Sequence, residues 1–453
     1  MEPQGYPQVV ILIVLLVGGG LAFVRPYAAF LFAIFLLTAG HVTMFNQTRL
    51  SALGPYLNLN DACVLVAMVA FFFDKMAGKE RVRMPQIVPL MFFVVTLGAV
   101  QSFWKLGWTY DTMRATRWAL DIPMALFLGA NMVTSGDRAR KLVGILLAGA
   151  LLAAIQHVAF VANIWRTRSL TMETYENMRT IGFWGGCLAP AFLLTTVVWK
   201  LPSGLIKRVL WLAAGGLFVT TIFLNQTRSI WVGLTLTVPV LAVLFKKRHY
   251  MASLAKFGAL GLAAVIVLAF ACQRLLPGIN VASLFTDRME LLANSRSAKV
   301  HMGTRERALG VEMSQWWDGT LLFGRGLYFF QDIENSDDPA YKIAFGHLGY
   351  VTYLSQLGLI GVAVYGFCLP WGVIRRSRFL YFHSSQPAVQ YMALLAASSV
   401  LCLSFIFIMS SHFLALGYFA PGVLYGGLSA LVSTTSTAED WDVENSTGVL
   451  TCA

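Results

Sequence analysis

Long apolar runs separated by short polar or charged stretches dominate this chain. About 20 consecutive apolar residues suffice for a helix to cross roughly 30 Å of hydrocarbon, and a helix satisfies its own backbone groups there. By that test the pattern predicts twelve or thirteen membrane-spanning helices, at about 6–24, 27–45, 57–73, 86–104, 115–133, 141–163, 180–199, 207–224, 229–246, 252–272, 347–372, 388–410 and 412–432. The spans at 57–73 and 115–133 are the weakest, because Asp61 and Asp121 fall inside them. No period of 20–50 residues is visible, nor an inverted repeat of the kind many transporters carry.

The polar stretches between the spans alternate in character. Lys75, Lys79, Arg81 and Arg83 form one basic cluster; Arg138, Arg140 and Lys141 a second; Lys200, Lys207 and Arg208 a third; Lys246, Lys247 and Arg248 a fourth; Arg375, Arg376 and Arg378 a fifth. They fall on every second loop, and the lysine and arginine bias of short loops assigns them to the cytoplasm. With thirteen spans the N-terminus lies outside; if one of the first three does not cross, both termini lie inside. The opposite loops are external, and one is long. The chain divides into ten spans over 1–272, a long periplasmic loop over 273–346, C-terminal spans over 347–432 and a cytoplasmic tail over 433–453. The tail is acidic and rich in Ser and Thr, a composition that predicts disorder. The loop carries short amphipathic stretches at 281–292 and 305–317, and connections of this length usually act as lids or binding surfaces.

Composition sharpens this picture. Of 453 residues, 57% are hydrophobic and 12% charged, with mean hydropathy +0.66, far from the balance of a soluble domain. The six cysteines stand singly and mostly in apolar runs, which excludes a disulfide-stapled scaffold, and no Cys/His spacing marks a metal site. A net charge of +12 would invite nucleic acid in a soluble protein, but here the cations flank apolar spans. The first apolar run has no small-residue cleavage site after it and reads as a retained segment. The expected class is an all-α polytopic membrane protein whose partner is the lipid bilayer and not nucleic acid.

The external loops depart from the usual charge bias in one respect: their cations are almost all arginine. Arg114, Arg117, Arg166, Arg168, Arg179, Arg228, Arg274, Arg288, Arg296, Arg305, Arg307 and Arg325 stand against Lys105, Lys299 and Lys342. A guanidinium grips phosphate or carboxylate through two parallel hydrogen bonds, so an outward anion site is one reading. The other is that these arginines pair with Asp287, Glu290, Glu306, Glu312, Asp332, Glu334, Asp337 and Asp338 or with lipid headgroups. Arg228 stands out because it sits in a turn between two long apolar spans, where an arginine needs a partner or a function. Among the seven histidines, His347 opens a span directly after the long loop, in Phe345-Gly346-His347-Leu348-Gly349-Tyr350, and an outer-surface imidazole can titrate near neutral pH. His41 and His157 lie in apolar runs and read as packing, His249 and His383 as topogenic. Gly324-Arg325-Gly326 is a tight turn able to present Arg325 and backbone N–H groups to an anion.

His347, one residue, nine more, then Gly358-Leu359-Ile360-Gly361 resembles the His-[Asn/Ser/Gln]-x9-Gly-x-x-Gly signature of the O-antigen ligase superfamily, with Leu348 where the signature has a polar residue. Thr227-Arg228-Ser229 is similar to that family's arginine before a mid-chain helix. Arg305 or Arg307, the amphipathic stretch to Trp317 and the Gly324/Gly326 turn resemble its loop pattern. Together these features cover about 225–362.

The resemblance implies a fold of about twelve helices and an inverting glycosyltransferase needing no metal or cofactor, facing the periplasm in the bacterial inner membrane. Its donor would be a glycan on undecaprenyl diphosphate, and its acceptor lipid A core, a growing glycan as in polymerases, or protein as in oligosaccharyltransferases. It implies His347 as the base, Arg228, Arg305, Arg307 and Arg325 at the diphosphate, and Gly324, Gly326, Gly358 and Gly361 as structural positions. A flippase or transporter of a lipid-linked sugar is the rival class, sharing the arginines without needing His347; a membrane anchor with a binding loop would explain the loop alone.

Overall fold

The structure, a computed structural model, describes residues 6–39, 59–78, 81–167, 188–199, 204–225, 228–245, 309–310, 312–314, 316–317, 320–327, 349–409 and 419–435, and the single positions 258 and 262. Among these the chain is all-α, and the one strand-like feature is an isolated bridge between Thr320 and Gly324. The helices are α1 (Tyr6–Val24), α2 (Pro26–Ala39), α3 (Leu59–Ala77), α4 (Ile87–Leu106), α5 (Tyr110–Met132), α6 (Gly136–Thr167), α7 (Leu188–Val198), α8 (Leu205–Asn225), α9 (Arg228–Leu244), α10 (Gly349–Gly361), α11 (Leu369–His383), α12 (Pro387–Met409) and α13 (Phe419–Thr435), with a π-helical segment Val362–Cys368 joining α10 to α11. The span expected at 252–272 lies outside the described residues except for Gly258 and Leu262.

Among the described residues five stretches are long and apolar enough to cross a membrane: Ile87–Lys105, Gly136–Ala159, Leu205–Ile222, Gly349–His383 and Pro387–Ile408; α1, α2 and α9 are shorter apolar helices. Large side chains such as Leu16, Phe23, Phe93, Leu210, Val243 and Phe367 are exposed on the outside of the bundle. An apolar exterior of that extent needs lipid and not water around it. The protein is an all-α membrane protein. Its central helix is α12, 83% of whose apolar window is buried against 28–39% in the other four spans, as expected of a helix that is apolar all round.

Side chains at the helix ends fix which ends lie together. Arg138 at the start of α6 pairs with Asp74 near the end of α3 at 2.9 Å and sits over the Tyr27 ring at the start of α2. Arg83 exchanges hydrogen bonds of 2.8 Å with Asn131 near the end of α5 and reaches Ser433 near the end of α13. Gly136 packs on Gln386, before α12, and Trp199 and Trp211 both meet Tyr391. The described basic clusters therefore gather at one end of the bundle, as the alternation of charge along the chain requires. The opposite end, called the far end below, carries the starts of α3, α5, α9 and α13 and the ends of α4 and α12.

The two weak spans prove to be mutual supports. Arg117 of α5 donates to Asp61 of α3 at 2.9 Å, so the carboxylate that weakened span 57–73 is neutralised by a cation from its neighbour. Arg117, one of the arginines expected on the external loops, thus pairs with a carboxylate inside a span and not with one of the loop carboxylates. Helices α5 and α13 run parallel and pack backbone to backbone, because Gly129, Gly422 and Gly426 let α5 and α13 meet without side chains between them; small residues serve close helix packing where the apolar effect gives no drive. Arg117→Ala leaves a carboxylate that is only 16% exposed without its cation. The expected loss is on the order of 1–3 kcal/mol, reduced from the fully buried figure by partial exposure, and pairing Arg117→Gln with Asp61→Asn recovers part of it. Thermal melting in detergent measures both.

Candidate functional site

The span expected to run straight from 347 to 372 is broken. Gly358 has φ 67° and ψ −164°, a backbone region open essentially to glycine alone. Beyond it the chain reverses. Tyr350 lies against Gly366, Tyr353 stacks on Tyr365 with ring centroids 5.3 Å apart, and Leu357 packs on Gly361. Those pairings describe a hairpin: the first part of α10 folds back along the π segment, and the rod from Leu359 to His383 then runs to the basic end.

A break inside a span frees backbone groups that lipid cannot satisfy. Here the long loop supplies them. Arg325 N donates to Ser355 O at 2.7 Å and Gly326 N to Gln356 O at 3.0 Å, while Leu359 N and Ile360 N donate to Leu321 O and Leu322 O at 3.1 Å each. The turn is itself closed by Gly324 N on Thr320 O at 2.7 Å and anchored by Leu327 N on Gly98 O of α4. Gly324 and Gly326 have φ of 71° and 110°, and a Cβ on Gly324 would lie 2.5 Å from the Gln356 carbonyl carbon. The two glycine motifs of the sequence are thus one structural joint, with Gly358 and Gly324 in mutual backbone contact. Gly361, the other member, carries helical torsions and packs on Leu357.

The joint sits at the far end. Arg325 is exposed, and its carbonyl accepts from the Lys105 Nζ at the end of α4, so two cations stand side by side there. Arg228 is the first residue of α9, whose Gly233 packs on Cys402 and Ile406 of α12. Its neighbour Ser229 is buried, with its hydroxyl without a hydrogen-bond partner among the described residues. Tyr350 and Tyr353 pack on Phe407, the residue that follows Ile406 in α12. The start of α9 and the start of α10 therefore flank the same end of α12. His347, Arg305 and Arg307 lie outside the described residues; the chain is described again at Gly349, two residues after His347.

Two features escaped sequence reasoning. One is a small cavity lined by Tyr350, Tyr353, Tyr365, Tyr425, Ser404 and Phe407, in which the Tyr425 hydroxyl meets Ser399 at 3.1 Å. Tyr365 and Tyr425 stand between twelve and seventy-five positions from Tyr350 and Tyr353, so no short sequence window holds the set. The other is Glu312, which the sequence offers only as one of the carboxylates available to external arginines. Among the described residues its partner is instead the Thr352 hydroxyl of α10, at 3.2 Å, and the side chain is fully buried. Burial pushes its carboxyl up to about 8, with the threonine hydroxyl pulling weakly the other way. His157 is buried within α6, as the packing reading expects. Among the described residues no group of three or more His, Cys, Asp or Glu side chains could hold a metal ion.

No model of a known protein family matches this chain, and no characterised protein does either.

Proposed function

We propose that the protein is an inverting, metal-independent glycosyltransferase of the O-antigen ligase type, moving a glycan from undecaprenyl diphosphate to an acceptor hydroxyl at the periplasmic face of the inner membrane. The observation that carries this reading is the joint of Gly324-Arg325-Gly326 with Gly358, formed by four backbone hydrogen bonds between a polar loop and a span. It fastens the loop arginine motif to the helix headed by the histidine motif, at the end of the bundle where α9 begins with Arg228. In this reading the basic end faces the cytoplasm and the far end the periplasm, which extends the positive-inside assignment to twelve or thirteen spans.

The chemistry follows from the charges. The acceptor oxygen forms a bond to the anomeric carbon while the bond from that carbon to the diphosphate oxygen breaks, and negative charge grows on the leaving group. Arginines are suited to hold that charge: Arg228 and Arg305, with Arg307 the alternative in the loop and Arg325 as an outer contact. The acceptor hydroxyl loses its proton to neutral His347. Lipid A core, a growing glycan and a protein serine or threonine are the acceptor classes open to this site.

A transporter also uses broken helices, but there the freed backbone groups coordinate substrate or ions. At Gly358 the freed carbonyls of Ser355 and Gln356 are already taken by the loop, which favours a structural break beside an enzyme site. The test is purified protein in nanodiscs with an undecaprenyl-diphosphate glycan, candidate acceptors and EDTA, read as a gel shift. A shifted acceptor is the expected result and names the subtype. No transfer, together with movement of the carrier across liposomes, overturns the proposal in favour of the flippase.

A further inference from the structure

We infer that Glu312 is a positioning residue that latches the described long-loop residues around it to Thr352 of α10, five positions beyond His347 in the chain. The inference rests on the transferase reading and deepens it. Residues 309–310, 312–314 and 316–317 are helical and lead within eight residues of Glu312 into the turn docked at Gly358. The loop is therefore tied to α10 twice, at Thr352 near its start and at the break near its end. Two attachments, at Glu312 and at the turn of 320–326, hold the described loop residues against α10, and Thr352 lies only five residues beyond His347.

The chemistry of the latch selects the protonated form. Glu312 is fully buried; Thr352 Oγ1 donates to its Oε1 at 3.2 Å, and Oε2 has no partner among the described residues. The titratable neighbours on the described part of α10, Tyr350 and Tyr353, pack on Phe407 and Tyr365. Among the described residues burial is the larger influence on its ionisation and the Thr352 hydrogen bond the lesser, opposing one. Burial removes the water that would stabilise a carboxylate, so docking favours the neutral acid. The sign follows from linkage. A released loop exposes a glutamate titrating near its ordinary value of 4.5, whereas the docked one holds its proton to about 8. Docking is then fully favoured below the lower value, weakens across the window between them and stays level above it.

The experiment uses the whole protein in nanodiscs and reads hydrogen exchange of 309–327 and 349–357 from pH 5 to 9, corrected for intrinsic exchange, beside transfer kinetics. In the wild type the opening equilibrium is expected to rise by up to about tenfold per pH unit across the window and then flatten. Glu312→Gln, neutral at every pH and still an acceptor for Thr352, gives protected, pH-independent exchange and retains transfer. Glu312→Ala opens both segments at all pH values and lowers kcat about tenfold with little change in KM for the donor. Protection in the wild type that does not respond to pH, or a Glu312→Ala protein with the exchange and pH profile of the wild type, overturns the inference while leaving the transferase reading intact. The predicted exchange pattern in a protein that transfers no glycan sinks the transferase reading and leaves the latch.

Discussion

His347→Ala is expected to lower glycan transfer by about 10²–10⁴-fold while the protein still inserts and melts as the wild type does, because a general base contributes about that much to rate. Histidine suits the task through its ordinary titration near 6.5: the wild-type rate should fall as pH drops below that value, since only the neutral imidazole accepts the acceptor's proton. A side chain that merely contacts sugar would cost far less and leave no such acid limb. Arg228→Ala should lose about 10²–10³-fold, the usual cost of removing one donor aimed at charge that develops in the transition state. Arg228→Lys tests the fork geometry, because a point charge restores the electrostatics without the paired hydrogen bonds. Steady-state transfer with a defined lipid donor measures all three. Normal product from a stably expressed His347→Ala protein removes the base mechanism.

Gly358→Ala is expected to be the most damaging single methyl in the described structure. The residue holds torsions that cost a non-glycine residue about 1–3 kcal/mol, and the new Cβ would run into the Leu322 carbonyl and the Gly324 amide. Undocking the turn would break four backbone hydrogen bonds, each worth about 0.5–1.5 kcal/mol net. A loss of about 2–6 kcal/mol in stability follows, with transfer falling in step. Gly324→Ala should behave alike, being the other face of the same contact. Gly144→Ala in α6, where no atom lies within 4 Å of the new Cβ, is the control and should change stability by less than about 1 kcal/mol. Equal melting temperatures for Gly358→Ala and Gly144→Ala would contradict the joint.

What the amino-acid sequence determined by itself is whatever a short window can hold. A run of apolar residues is a helix in lipid wherever its neighbours lie, so the spans of α1, α4, α8 and α12 were legible to within a few residues. Charge alternation from loop to loop likewise settled which helix ends gather together, because each hairpin reverses direction. Tertiary structure alone decided how polar groups inside those spans are satisfied. Asp61 weakened one span on inspection, yet its counter-ion Arg117 stands 56 positions away on another helix. The spacing from Gly358 to Gly361 reads equally well as small-residue helix packing or as a break. Only the arrival of Leu321, Leu322, Arg325 and Gly326 from a polar loop makes the break possible, by pairing the backbone groups that it frees. Glu312 carried no local mark at all: a carboxylate on an amphipathic stretch looks solvated until the fold buries it against Thr352, and burial is a property of the neighbours that a sequence window does not contain.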